Sequence, residues 1–402
     1  MAEKTRQELV TLQTGKSYDI IVVGGGMAGV SAAVAARRQG KRVLLIEKAS
    51  YLGGLATLGL VVLYHPPLDD GTGRKLVGGL AEELLHLSIR YSYDDLPKGW
   101  TYGAEENHEG GRYQTVFNAP AFALALNELL QAEQVDVLYD ALFCIPRMEG
   151  TRCVGVSVET KAGRYYYSAK AFVDASGDGD LLFRAGADMV ERPEKALTFW
   201  MLSTDLERMQ NAISSGDVGK AIRIEAIGAN PHEDCVDPDT TQYGIRTPEE
   251  VSEFISKGMN MGLQRLKTFD KTQRCLVSIP GMAEYRKTRA LAGEYTISEK
   301  DREAHFEDSI GCTKEEFEPH CIEIPYRCLM SRKIDNIYAA GRIISSDGRP
   351  RDTIRLIAIC AQTGEAAGLA ASMLADTDCT AAQLNVSKLQ EKLTEAHNRL
   401  HF

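Results

Sequence analysis

Tyr18-Asp-Ile-Ile-Val-Val-Gly-Gly-Gly-Met-Ala-Gly29 is an apolar, β-branched run that stops at three glycines. Such a run, without a charge from Ile20 to Val23, suits a central parallel strand covered on both faces. The Ala-rich segment at residues 27–39 is a good helix former, and Gly40 stands where a helix end often needs a left-handed residue. Residues 42–46 supply a second strand that ends on Glu47. Strand, helix and strand within some thirty residues form the βαβ unit of a nucleotide-binding half.

Gly24, Gly26 and Gly29 satisfy G-x-G-x-x-G in that context. The first allows the tight turn, the second lets the backbone approach a pyrophosphate, and the third lets the helix lie close to the sheet. Met27 and Ala28 open the helix, whose free N–H groups and positive dipole end face the diphosphate. Glu47 follows Gly29 by eighteen residues and is placed to accept hydrogen bonds from ribose hydroxyls. This fingerprint alone does not separate NAD from FAD. The continuation Glu47-Lys-Ala-Ser-Tyr-Leu-Gly-Gly54 and a strand, turn and helix at residues 336–368 point to FAD.

Composition narrows the function classes. With 402 residues, 44% of them hydrophobic and 25% charged, the chain is long enough for two or three folded domains. A net charge of -10 argues against a nucleic-acid backbone as the main partner. Nine cysteines include no C-x-x-C pair, so no redox dithiol, zinc ribbon or other metal centre is expected, and the thiols suit a reduced cytoplasmic setting. Residues 1–17 are polar, with no apolar signal core, and are expected to be a loose leader. The apolar stretch at residues 354–374 is interrupted by Arg355, Gln362 and Glu365, which predicts a buried helix and no membrane span.

Further along, periodicity predicts helices over residues 79–90 and 119–134, and strands over 135–139, 154–159 and 165–173. Past Gly186 the pattern turns to acidic, Met-bearing segments with helical spacing to about residue 270, broken at Pro231, Pro238 and Pro248. Strands return at residues 321–326 and 336–340, before one long helix over 352–375. The expected organisation is α/β: a discontinuous FAD-binding Rossmann domain at residues 18–186 and 331–402, with an α+β substrate or cap domain inserted at 187–330.

Four blocks make the chain resemble the FAD-dependent oxidoreductases of the glutathione-reductase-like fold. Within them it is similar to the bacterial family of that name, relatives of the fumarate reductase flavoproteins. The blocks are residues 24–54; Ala171-Phe-Val-Asp-Ala-Ser-Gly-Asp-Gly-Asp180; Tyr285-Arg-Lys-Thr-Arg289 with Gly293-Glu-Tyr-Thr296 and Asp301; and Ile324-Pro-Tyr-Arg327 leading to Asn336-Ile-Tyr-Ala-Ala-Gly-Arg342 and Gly364-Glu-Ala-Ala-Gly368. The resemblance implies cofactor contacts from Lys48, Gly53, Gly54, Leu55 and Ala56 beside the glycines and Glu47. It adds Ala175, Ser176, Gly177 and Asp180 at the strand-end turn, and Gly341 and Arg342 over the flavin. Thr363, Gly364, Ala366 and Ala367 would present backbone amides to the flavin ring. Where many relatives hold the ribitol with an acid after the late glycine, this chain has Arg342, leaving Ser345, Ser346 or backbone N–H groups for that task. Simpler structural roles also suit some of these residues. Gly364 and Gly368 suit close helix packing, and Arg286 with Arg289 suits a solvated, salt-bridged face.

Flavin chemistry needs a positioned substrate and a proton donor or acceptor. Arg286 and Arg355 are the candidates for binding a polar substrate, and His65 or Tyr64 for moving the proton. Only one complete fingerprint is present, so no separate NAD(P)H domain is expected. The electron partner is then the substrate, a quinone, another flavoprotein, dioxygen, or NAD(P)H bound directly over the flavin. Reduction of an activated C=C bond, electron transfer and tRNA modification are the competing activities.

Overall fold

Ile20–Val23 forms the middle of a five-stranded parallel sheet, in the order Ile337–Ala339, Ala171–Asp174, Ile20–Val23, Val43–Ile46 and Asp136–Leu138. The three inner strands are buried at every position, as uninterrupted apolar sequence on a sheet covered from both sides requires. The computed structural model describes residues 9–65, 69–107, 113–191, 197–228, 243–315 and 318–402. Cys235 and the breaks expected at Pro231 and Pro238 lie outside them.

Helix Met27–Arg38 crosses over between strands Ile20–Val23 and Val43–Ile46, and a late helix, Ile357–Ala375, lies against it. Their approach depends on two glycines: a β-carbon on Gly364 would stand 2.2 Å from the Ala28 carbonyl oxygen, and one on Gly368 would stand 2.3 Å from that of Ala32. Backbone atoms cannot yield as a flexible side chain does. Gly364→Ala is therefore expected to cost about 3 kcal/mol, the upper end of core overpacking, read as a lower urea midpoint at unchanged slope. The late helix is long and apolar enough to cross a membrane, yet 89% of its apolar window is buried inside the fold, so its hydrophobicity belongs to the core.

A second sheet runs Gln13–Ser17, Gly163–Ser168, Arg152–Thr160, Leu142–Glu149. Three expectations change here. Residues 13–17 are no loose leader but an edge strand, paired in parallel with Gly163–Ser168. The stretch 165–173 is two strands: the chain leaves this sheet after Ser168 and enters the parallel sheet at Ala171, with Lys170 N–H bonded to the Asp19 carbonyl at the crossing. Residues 352–375 are also not one helix. A short helix, Pro350–Ile354, ends at Arg355, and Leu356 takes an extended conformation before the late helix begins at Ile357.

The segment after Gly186 carries a three-stranded antiparallel sheet, Arg223–Gly228, Thr198–Asp205 and Arg274–Ser278. Helical spacing alone missed the first two of these strands. Helix Pro248–Lys267 starts as its sequence suggests, with Pro248 in the first turn and the Thr247 hydroxyl accepting from Glu250 N–H at 3.2 Å. It packs on this sheet through Gly262, where a β-carbon would stand 2.4 Å from the Phe199 ring.

Candidate functional site

The carboxyl ends of the parallel strands, where ligands of open α/β sheets bind, converge on a cavity of about 340 Å³. Gly24 lies at its floor with φ +101°, a left-handed conformation, and a β-carbon there would stand 2.4 Å from the Ala175 carbonyl oxygen. Gly26 caps the first helix with φ -71° and no side-chain cap, and it lines the cavity with Met27 and Ala28. A β-carbon on Gly26 would meet no protein atom within 4 Å, so the space it would fill belongs to the cavity. Gly29 stands behind: its β-carbon would lie 1.7 Å from the Gly24 carbonyl oxygen, and it serves the turn by packing.

Glu47 lines the wall, 6% exposed, fixed by backbone N–H donors from Gly25 and Ala49, each at 2.7 Å and each to a different carboxylate oxygen. Both oxygens keep a lone pair for further donors such as a vicinal diol. Lys48, Gly53, Gly54, Leu55 and Ala56 continue the lining, and Gly53 N–H bonds the Gly25 carbonyl at 2.9 Å, tying the two glycine turns together.

Ala175, Ser176, Gly177 and Asp180 form the third wall. Below them Asp174 is fully buried and accepts from Ser176 N–H and Oγ and from Leu182 N–H, and burial pushes its carboxyl up to about 6. Burial also acts to raise Asp178, but the Arg342 guanidinium, Lys48 and the Thr288 hydroxyl outweigh it and hold the carboxyl below its ordinary range. Arg342 and Gly341 line the fourth wall with Arg355. The Arg342 fork is spent within the protein. It donates at 2.6 Å to both Asp178 and the Tyr285 carbonyl, and it also bonds the Gly177 carbonyl. Arg342 is thus a brace for the Gly177 turn.

Several sequence-predicted residues stand elsewhere. Thr363 sits one turn inside the late helix, where its hydroxyl receives the Gly341 N–H at 3.0 Å. Gly364, Ala366 and Ala367 are packed behind it, and the helix reaches the cavity instead through Ile357 and Cys360. Ser345 bonds Gly293 and Thr296, Ser346 bonds Ile344, and neither lines the cavity. Tyr64 is fully buried against Phe117, with no hydrogen-bond partner for its hydroxyl among the described residues. His65 and Arg286 also lie outside the lining, whereas Arg355 is in it and bonds Asp352 at 3.3 Å. Arg289 is no solvated arginine: it is 9% exposed, paired with Asp180 and stacked over Phe183.

Phe143, Gly281 and Met282 complete the cavity, and none stands in a motif read from sequence. The Pro-Gly dipeptide at 280–281 is a turn signal that could have pointed to Gly281 and Met282, and nothing local marks Phe143. The assembled site offers an uncapped helix end to a diphosphate, a preorganised carboxylate to a ribose, and a largely apolar chamber beyond.

A family model described as FAD dependent oxidoreductase matches residues 19–212 and 190–393. The tRNA uridine 5-carboxymethylaminomethyl modification enzyme MnmG of Streptococcus thermophilus is 26% identical over 254 residues, which cover 60% of this chain and 36% of that protein. Thioredoxin reductase of Ureaplasma parvum is 32% identical over 77 residues, 19% of this chain and 25% of that protein. The chain thus spans about a third of the length of the tRNA-modifying relatives it matches. Among solved structures, a geranylgeranyl bacteriochlorophyll reductase-like protein from Thermoplasma acidophilum superposes with a TM-score of 0.48 at 14% identity, covering 96% of this chain and 85% of that one.

Proposed function

We propose, from the premise that this chain belongs to the FAD dependent oxidoreductase family, that the 340 Å³ cavity would hold FAD, which would supply hydride exchange with a small organic substrate. The observation that carries this reading is Gly26, a helix-capping glycine whose missing β-carbon leaves ligand space and nothing else. Around it, the first helix would hold the diphosphate, Glu47 the adenosine ribose, and the turns at Ala175 and Gly341 the isoalloxazine side. Bound FAD supplies the electron-pair chemistry.

The protein's own part is to bind, orient and keep water out. Arg342 locks the Gly177 turn against Tyr285 and so joins the cofactor cavity to the segment 187–330, which we read as the substrate-facing cap. Arg355 shares Asp352 with Lys287 and keeps guanidinium N–H groups for a polar substrate group at the cavity rim. Tyr64, sealed in the core, fits a packing role better than proton transfer, and the position of His65, outside the cavity lining, does not support that role either. The relative named for tRNA modification raises the alternative of a nucleic-acid substrate, against which the net charge of -10 weighs.

Anaerobic mixing of the yellow holoenzyme with candidate substrates tests the reading: the oxidised-flavin absorbance is expected to bleach with a substrate and to return with an acceptor such as a quinone or dioxygen. Bleaching only by a protein partner would make the chain an electron carrier instead. Arg355→Ala is expected to keep FAD and to raise KM about tenfold or more, the worth of one charge-assisted hydrogen bond, with kcat little changed. An unchanged KM would remove Arg355 from substrate binding.

A further inference from the structure

Next to the proposed flavin cavity lies a second one of about 200 Å³, open at one rim, between strand Thr198–Asp205, helix Pro248–Lys267 and the turn 280–284. Gly281 and Met282 line both cavities, so one short turn is their common wall. That turn is anchored on the cofactor side by Gly281 N–H bonding the Leu58 carbonyl at 2.7 Å. Phe199, Phe254, Ile255 and Met259 make the second cavity apolar. Among its described lining residues the one ionisable group is Glu284, 7% exposed.

Glu284 is half satisfied. One carboxyl oxygen accepts from Trp200 N–H at 3.1 Å, and the other, Oε1, is buried with no hydrogen-bond partner among the described residues. An unmet buried oxygen costs about 1–3 kcal/mol, a cost that a ligand with a matching group would remove. Burial dominates its ionisation and pushes the carboxyl up to about 8, against the Trp200 hydrogen bond and the field of Arg286. At neutral pH the group is therefore a neutral acid, able both to donate and to accept.

We propose that this second cavity is the substrate subsite, that it takes the hydrocarbon body of a neutral alcohol or of the corresponding carbonyl compound, and that Glu284 fixes the single oxygen. A neutral carboxyl accepts from a hydroxyl and donates to a carbonyl, so it holds both members of that redox pair. A carboxylate ligand meets a second acid with no cation among the described lining residues, and an ammonium ligand brings a charge into an apolar chamber. The inference rests on the first cavity being the flavin site, since only then does a subsite that meets it at Gly281 and Met282 adjoin the flavin.

Anaerobic calorimetric titration of the reduced holoenzyme with benzyl alcohol and benzylamine, and of the oxidised holoenzyme with benzaldehyde and benzoate, tests it without turnover. Benzyl alcohol and benzaldehyde are expected to bind, with benzoate and benzylamine at least tenfold weaker. Gly258→Leu, which projects into the cavity where a β-carbon already comes within 3.3 Å of Phe199, is expected to abolish binding. If that variant loses FAD or its circular dichroism spectrum, Met259→Trp at the half-exposed rim takes its place. Glu284→Leu should weaken benzyl alcohol about tenfold, and Glu284→Gln, which still donates and accepts, should restore it. In difference infrared spectra, binding should shift a protonated-carboxyl band that Glu284→Gln lacks. Tighter binding of benzoate or benzylamine, binding that ignores both cavity-filling variants, or an unshifted carboxyl band would overturn the proposal. Failure of the flavin assignment itself reads out separately, as FAD content unaffected by substitution at Gly26.

Discussion

Gly26→Val is expected to raise the Kd for FAD about 100-fold or more, some 2.7 kcal/mol, while the apoprotein keeps its fold. The two effects separate because of the local geometry. Gly26 has φ -71°, which any residue adopts, so valine adds no backbone strain. Its β-carbon enters the cavity with no protein atom within 4 Å beyond its chain neighbours. The loss of a favourable cap costs under about 1 kcal/mol. Gly29→Val is the contrasting case: its β-carbon would overlap the Gly24 carbonyl at 1.7 Å, so the apoprotein itself should be destabilised. Released FAD fluorescence measures the first effect and the urea midpoint the second. A Gly26→Val protein that purifies yellow with normal FAD affinity would refute the placement of the cofactor.

That pair of glycines shows which part of the site was legible in the sequence. Strand, turn, helix and acid lie within thirty residues and are dictated by local conformation, so Gly24, Gly26 and Glu47 could be assigned roles from spacing alone. Arg342 could not. Its partners, Gly177, Asp178 and Tyr285, are between 57 and 165 residues away in the chain, and only the tertiary fold decides that the fork closes on them. The late helix was half legible. Its small residues announced a close approach, but whether Gly364 faced a ligand or another helix depends on where the helix starts, and the extended Leu356 moves that start to Ile357.

Residues 187–330 were the least legible, for a physical reason. Thr198–Asp205 is buried on both faces and no residue of Arg223–Gly228 is buried, so neither strand carries a clear inside–outside alternation. Glu284 is the extreme case, because nothing in Met282-Ala283-Glu284-Tyr285 distinguishes a buried acid from a surface one. Its role depends on Trp200, eighty-four residues earlier, crossing beside it.

Stability is expected to fall by several kcal/mol between about pH 5 and pH 8, the reverse of what surface carboxylates alone would give. Three buried acids set the sign. Burial raises Glu284 from 4.5 to about 8, Glu365 from 4.5 to about 7 and Asp174 from 3.8 to about 6. In this window the folded chain retains protons that the unfolded chain releases, so each contribution is fully present below the unfolded value and is lost as pH rises through the folded one. Glu284 has the widest gap and alone accounts for a few kcal/mol, at about 1.4 kcal/mol per pH unit. Glu82 works the other way but outside the window: although burial raises it, His86 and Lys75 hold it at about 2, so its contribution is constant above about pH 5 and disappears only in acid. Glu284→Gln should therefore flatten the decline most, and Glu365→Gln, whose carboxylate accepts from Leu80 N–H and Asn398, should flatten the portion below pH 7. Urea midpoints at pH 5, 6.5 and 8 with saturating FAD measure this. A wild-type decline that persists undiminished in Glu284→Gln would place the proton uptake on other groups and return Glu284 to the ordinary carboxylate range.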